Sequence, residues 1–130
     1  MKGPMTEQNL SHRELISQVQ NQVLDDHFAS LRYAGIIQKA LLPESELLKG
    51  YFRDHFVLFM PRNIVSGDFY YVLRNRHYFC VAAGDCTGHG VPGALLSILG
   101  ISFLNDILQS RCNLKANRVL NLMREKLMKA

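Results

Sequence analysis

The chain has 130 residues and a formal net charge of +4; 48% of its residues are hydrophobic and 20% are charged. This length accommodates one small domain, and the composition excludes an intrinsically disordered chain. Its basic residues are dispersed, so we expect no nucleic-acid partner. The three cysteines, Cys80, Cys86 and Cys112, contain no CxxC pair. This argues against a disulfide framework or a structural zinc site and favours a reducing, cytoplasmic location.

The first predicted element is a long amphipathic helix over residues 14–41. This segment has no proline and one glycine, Gly35, and its apolar residues recur every three or four positions. Pro43 ends the helix, because the residue before a proline disfavours helical geometry. The apolar stripe must be buried, either against the following domain or against a second copy in a coiled coil. We therefore divide the chain into a flexible N-terminus (1–13), a linker helix (14–42) and a domain (43–130).

Three apolar segments are predicted to be β-strands: Phe56–Met60, Phe69–Leu73 and Tyr78–Ala83. The polar residues 74–77 separate the last two by a length typical of a hairpin. Antiparallel pairing would bring Asp68, just before one strand, beside Asp85, just after the other. Both carboxylates are therefore expected at the same edge of the sheet.

Two helices are predicted near the C-terminus, over residues 94–108 and 116–128. The first is apolar on most sides but is interrupted by polar residues, which indicates a core helix and no membrane span. The second is amphipathic, with apolar residues on one face: Ala116, Val119, Leu120, Met123 and Leu127.

The segment GDCTGHGVPGA, residues 84–94, joins a strand end to a helix start through closely spaced glycines. Gly88, Gly90 and Gly93 formally match the dinucleotide-binding pattern GxGxxG. That pattern needs an acidic residue ~20 positions further on, where this chain has Arg111 to Asn113. Carboxylates beside a glycine-rich turn instead suit a hard divalent ion such as Mg²⁺ or Mn²⁺. We expect Asp68 and Asp85 to share such an ion.

His89 lies in the same turn and has two interpretations. A histidine near its ordinary pKa suits general-acid catalysis, and here it would protonate a leaving seryl or threonyl oxygen. Alternatively, it caps the helix start or hydrogen-bonds a metal ligand.

Four segments together resemble a known family: IQKALLP (37–43), SGDFY (66–70), GDCTGHGVPGALLS (84–97) and LGISFL (99–104). In this order and spacing they are similar to the start of a SpoIIE-type phosphatase domain. That family is part of the PPM (PP2C-like) superfamily of metal-dependent serine/threonine phosphatases. The resemblance runs from about Leu31 to the C-terminus.

The resemblance implies an α+β fold, the N-terminal part of a PPM-type αββα sandwich. It implies that Asp68 and Asp85 bind two Mn²⁺ or Mg²⁺ ions, with the backbone carbonyl of Cys86 as a further ligand. The substrate would be a phosphoprotein in bacterial signalling. Two such ions activate a bridging water for attack on phosphorus.

The family pattern continues with further strands and acidic ligands, and residues 98–130 contain no counterpart. We therefore expect an incomplete metal site and little or no phosphatase activity in this chain alone. The alternative is a non-catalytic module that uses helix 14–41 to form a homodimer or to dock a partner.

Overall fold

The computed structural model describes residues 5–76, 78–111 and 114–130, with the backbone alone described for residues 5–10 and Ser45. The elements are helices α1 (Met5–Leu41) and α2 (Ser45–Lys49), strands β1 (Phe69–Arg74) and β2 (Phe79–Gly84), and helices α3 (Gly90–Ser110) and α4 (Ala116–Leu127). The predicted α+β class is confirmed. His77 of the predicted hairpin turn and Cys112 of the cysteine analysis lie outside the described residues.

Helix α1 begins upstream of its predicted start. The structure places residues 5–13 in the same helix, so the predicted helix start at residue 14 is wrong; the flexibility of segment 1–13 stays a prediction, and residues 1–4 lie outside the described part. The physical reason is that no proline or glycine follows Met5 until Gly35, so nothing in the sequence interrupts the backbone hydrogen bonds. The predicted end at Leu41 is confirmed.

The predicted strand Phe56–Met60 is wrong. Within the described residues the sheet has two strands, and this segment pairs with neither. Phe56, Leu58 and Met60 are 89%, 76% and 79% exposed. Strand propensity reflects how well side chains pack on the surface of a sheet. These three exposed side chains have no such surface to pack on. Helix α2, with only five residues, was not predicted.

The predicted hairpin is confirmed, with each strand within one residue of its expected bounds. Strands β1 and β2 are antiparallel, with Phe69 opposite Gly84 and Arg74 opposite Phe79. At the turn, the Asn75 N–H donates to the Tyr78 carbonyl (3.1 Å), and the Tyr78 N–H donates to the Asn75 side chain (3.0 Å).

The main core lies between β1, α3 and α4. Phe69 and Tyr71 of β1 pack with the buried face of α3, which includes Ile101 and Leu104, and with Val119 of α4. By length and by its mean hydropathy of 1.7, α3 could also cross a membrane. Its contacts with β1 and α4 are those of a core helix, which holds the hairpin in place.

Candidate functional site

The two aspartates lie side by side at the end of the hairpin opposite its turn. Because Phe69 pairs with Gly84, the next residues outward are Asp68 on one chain segment and Asp85 on the other. The pairing extends beyond them, since the Cys86 N–H donates to the Gly67 carbonyl at 3.3 Å. Both aspartates are exposed. The tertiary structure therefore brings together the two carboxylates that the hairpin prediction placed at one edge.

Glycines allow the segments around these aspartates to approach closely. A Cβ atom on Gly67 would lie 2.7 Å from the Cys86 carbonyl oxygen, and one on Gly93 would lie 2.8 Å from the Gly88 oxygen. Gly88 has a φ of 95°, which other residue types rarely adopt. Any larger side chain at Gly67 or Gly93 would displace these carbonyls, so the glycines preserve a compact group of backbone oxygens beside the carboxylates.

At Cys86 the backbone carbonyl is a better ligand for a hard divalent ion than the thiol. Burial raises the pKa of the Cys86 thiol, and the charges of Asp85 and Asp68 raise it further. A thiolate is a soft ligand, whereas Mg²⁺ and Mn²⁺ prefer oxygen donors. The carbonyl oxygen, predicted as the ligand, is the donor whose chemistry matches that of the two carboxylates.

His89 occupies the N-cap position of α3, with an extended backbone at φ −136° and ψ 168°. Its side chain makes no capping hydrogen bond and is exposed. The helix-capping interpretation of the side chain is therefore wrong. The general-acid role, and the alternative in which His89 hydrogen-bonds a metal ligand, both stay predictions for this solvent-accessible side chain.

Gln38 is a residue of the site that the sequence analysis did not identify. Its amide nitrogen donates to the Ser66 carbonyl (2.5 Å) and to the Ser97 hydroxyl (2.6 Å), and its amide oxygen accepts from the Ser66 N–H (3.0 Å). The Ser66 hydroxyl in turn accepts from the Asp68 N–H at 3.0 Å. Gln38 thus ties α1 and α3 to the segment that carries Asp68.

Gln38 is 3% exposed, and a signal for it was present in the sequence. It lies seven positions after Leu31, which is two helical turns, so both residues share one face of α1. A polar side chain on the buried face of a helix needs hydrogen-bond partners. The partners themselves are distant in sequence and could not be named from it.

The donors at this site fit a hard divalent cation by type but fall short in number. Asp68, Asp85 and the Cys86 carbonyl supply oxygen atoms, which Mg²⁺ and Mn²⁺ prefer. Within the described residues, no group of three or more His, Cys, Asp or Glu side chains is placed to hold a metal ion.

Three comparisons relate the chain to known proteins. No family model matches it, and no curated protein matches it. Among solved structures it is similar to the SiaA-PP2C domain of Pseudomonas aeruginosa, with 32% identity and a TM-score of 0.67. The match covers 82% of this chain and 42% of that one, so the chain spans less than half the length of this neighbour. The long helix, the two-stranded antiparallel sheet and the helices that pack on it form part of a PP2C-like fold.

Proposed function

We propose that this chain is part of a SpoIIE-type PPM phosphatase, which hydrolyses phosphoserine or phosphothreonine on a phosphoprotein in the bacterial cytoplasm. The observation that carries the proposal is the position of Asp68 and Asp85, side by side where the hairpin meets the glycine-rich turn. The PP2C-like fold supports it, and so do the four sequence segments that resemble the family.

Each residue of the site has a distinct role in this proposal. Asp68, Asp85 and the Cys86 carbonyl hold Mn²⁺ or Mg²⁺, which when bound supplies a water of lowered pKa and positive charge for the phosphoryl oxygens. His89 delivers a proton to the leaving seryl or threonyl oxygen. Gln38 fixes the backbone on the N-terminal side of Asp68 through its hydrogen bonds to Ser66.

We expect weak metal binding and little turnover from the 130-residue chain by itself. Affinity for a hard cation depends on the charge and number of its ligands. Two carboxylates and a carbonyl are fewer than the six or so oxygen ligands such ions take, so waters would complete the coordination. The site supports binding of one ion better than binding of a pair.

The test is a calorimetric titration with Mn²⁺, together with hydrolysis of p-nitrophenyl phosphate. Wild type should bind Mn²⁺ weakly, and Asp85→Asn and Asp68→Asn should each abolish the binding heat. Asp54→Asn is the matched control, because Asp54 is exposed and Phe52, two residues before it, contacts Phe79 at the end of β2 opposite Asp85. Mn²⁺ binding that survives both site substitutions would refute the assignment of these ligands.

A second function is favoured by the surface of α1. Several apolar side chains on its N-terminal part are exposed, including Ile16, Val19, Val23 and Phe28. An uncovered apolar stripe on a long helix is typical of a coiled-coil seam. In this alternative the chain is a non-catalytic module that forms a homodimer or docks a partner through residues 14–41.

Sedimentation analysis separates the two functions. A monomer that binds Mn²⁺ favours the phosphatase, and a dimer that does not respond to Mn²⁺ favours the interaction module. The double substitution Val19→Glu with Val23→Glu should dissociate a dimer formed by α1. Gln20→Glu with Gln22→Glu adds the same charge at exposed polar positions of the helix and serves as the control.

A further inference from the structure

Helix α1 has two distinct faces that carry apolar residues. One face packs on the domain, where Leu31 is buried and Ala34 packs against the cluster of Leu31, Val65 and Ala94. Gln38 belongs to this face and is also buried. The other face carries exposed apolar side chains: Ile16, Val19, Val23, Tyr33 and Ile37. Consecutive residues of a helix are about 100° apart around its axis, so exposed Ile37 and buried Gln38 can lie on different faces.

The exposed face follows a heptad repeat. Alternate steps of three and four residues connect positions 16, 19, 23, 26, 30, 33, 37 and 40, which we call the α1 seam. Six of these positions are apolar, and the two at the centre are Asp26 and Ser30. This spacing, sustained over more than three heptads, is that of a two-stranded coiled coil.

The N-terminal half of α1 is exposed to solvent. Every side chain from residue 11 to residue 28 is exposed. A helix in water gains little stability from propensity alone and depends on the packing of its apolar face. A second helix with the same repeat would supply this packing along the α1 seam, and a second copy of the chain provides such a helix.

The two polar residues at the centre of the α1 seam discriminate between the possible orientations of that second copy. In a parallel pair of helices in register, each seam residue faces its own counterpart, so two Asp26 carboxylates would lie opposite each other. Like charges at close range repel, and the repulsion grows as water is excluded. A parallel dimer would therefore have an unfavourable layer at its centre.

An antiparallel pair centred between Asp26 and Ser30 removes this repulsion. Asp26 of one copy then faces Ser30 of the other, and the two-fold symmetry of the pair repeats the contact. In the single chain the Ser30 hydroxyl donates to the Asp26 carbonyl at 2.9 Å. A carboxylate accepts a stronger hydrogen bond than a carbonyl, so the exchange of partner is favourable. The same arrangement pairs the apolar seam residues: Val23 with Tyr33, Val19 with Ile37, and Ile16 with Ala40.

We propose that the α1 seam binds a second copy of this chain as an antiparallel two-stranded coiled coil, centred between Asp26 and Ser30. The proposal rests on the second function above, and adds to it the orientation of the partner and the residues that set it. The buried residues Leu31 and Gln38 lie on the other face of α1 and keep their contacts with the domain. Because each domain follows the C-terminal end of its own α1, the two domains would lie at opposite ends of the coiled coil.

The orientation is tested by disulfide cross-linking of two variants of the full chain, Val19→Cys and Ile37→Cys. These positions face each other only in the antiparallel pair. A mixture of the two variants should therefore form a cross-linked dimer under mild oxidation, and each variant alone should form none above background. Wild type treated in the same way measures the background from the native cysteines.

The possible failures are distinguishable. A mixture that forms no more cross-linked dimer than the single variants would overturn the antiparallel orientation and leave the second function intact. A chain that stays monomeric in sedimentation analysis would overturn both.

A charge substitution tests the central layer independently. Ser30→Lys places an ammonium group opposite Asp26 of the other copy, so the dimer dissociation constant should fall by about threefold or more. In a parallel dimer the same substitution would place two lysines face to face and raise the constant. Asn21→Lys is the control, because it adds the same charge at an exposed position outside the seam, also four residues from an aspartate, Asp25. A constant that Ser30→Lys leaves unchanged or raises relative to this control would overturn the proposal.

Discussion

The two strands of the hairpin have similar apolar sequences but very different surroundings. Phe69, Tyr71 and Val72 of β1 are buried, and α3 packs on the face that carries Phe69 and Tyr71. On the opposite face, the Tyr70 hydroxyl donates to the Pro43 carbonyl, and the Tyr70 ring contacts that of Phe59. In β2, by contrast, Phe79 and Val81 are exposed to 40% and 56%.

This difference shows that the apolar sequence of a strand does not predict which of its side chains are buried in the folded protein. Both strands are edges of the two-stranded sheet, but β1 has buried side chains on both of its faces, whereas β2 borders an open apolar cavity whose other walls are α3 and α4. The same hairpin therefore has one strand buried in the core and one strand whose larger apolar side chains are exposed. Four predictions test this contrast, from the largest expected effect to the smallest.

The largest effect is expected at Phe69. Its ring packs against Gly84 and Gly100, where an added Cβ would lie 2.3 Å and 3.1 Å from ring atoms. Phe69→Ala should lower the free energy of unfolding by about 3–5 kcal/mol, because it leaves a cavity in the core. Urea denaturation followed by circular dichroism measures this. Val81→Ala on β2 is the matched truncation and should cost less than ~1 kcal/mol; equal losses would break the contrast.

The next effect concerns the backbone just before β1. Gln38→Leu leaves the Ser66 N–H without its buried side-chain partner and leaves the Ser66 carbonyl only the longer bond from the Ser97 hydroxyl (3.3 Å). We expect a loss of about 2–3 kcal/mol, because buried unsatisfied polar groups carry a desolvation cost. The measurement is again urea denaturation.

Gln20→Leu is the control, since Gln20 is exposed on the same helix. If Gln38→Leu were as stable as this control, the segment that carries Asp68 would not depend on α1.

A smaller effect is expected in alkali. Burial, followed by the charges of Cys80 and Tyr78, raises the pKa of the Tyr71 phenol to about 12. The unfolded chain releases this proton near pH ~10, so the free energy of unfolding should fall as pH rises from there towards the folded pKa. Between pH 9 and pH 11 the contribution is about 1 kcal/mol.

Tyr71→Phe removes this contribution, so the variant should lose less stability than wild type over the same pH range. At pH 8 it should already be about 1 kcal/mol less stable, because the hydrogen bond to Asn105 (2.7 Å) is lost. Identical pH dependence in the two proteins would contradict the burial of this face of β1.

The smallest effect is expected on β2. Val81→Thr exchanges one β-branched side chain for another at an exposed position, so stability should change by less than ~0.5 kcal/mol. A thermal unfolding curve is sufficient to measure it. A large loss would mean that something already covers this face of β2 in solution.

Local sequence patterns predicted most of the secondary structure. The turn residues 74–77 separate two β-branched and aromatic segments, and this spacing is enough to place Asp68 and Asp85 together. The same reasoning failed at Phe56–Met60, because strand propensity cannot supply a neighbouring strand. It also missed Gln38, whose role depends on Ser66 and Ser97, both far away in the chain.

The sequence by itself determined the hairpin, the glycine-rich turn and the two aspartates, because these depend on alternation, turn chemistry and antiparallel pairing between near neighbours. The tertiary structure alone decided which apolar residues are covered. Burial depends on contacts between distant segments, and these left one edge of β2 and one face of α4 facing an open groove.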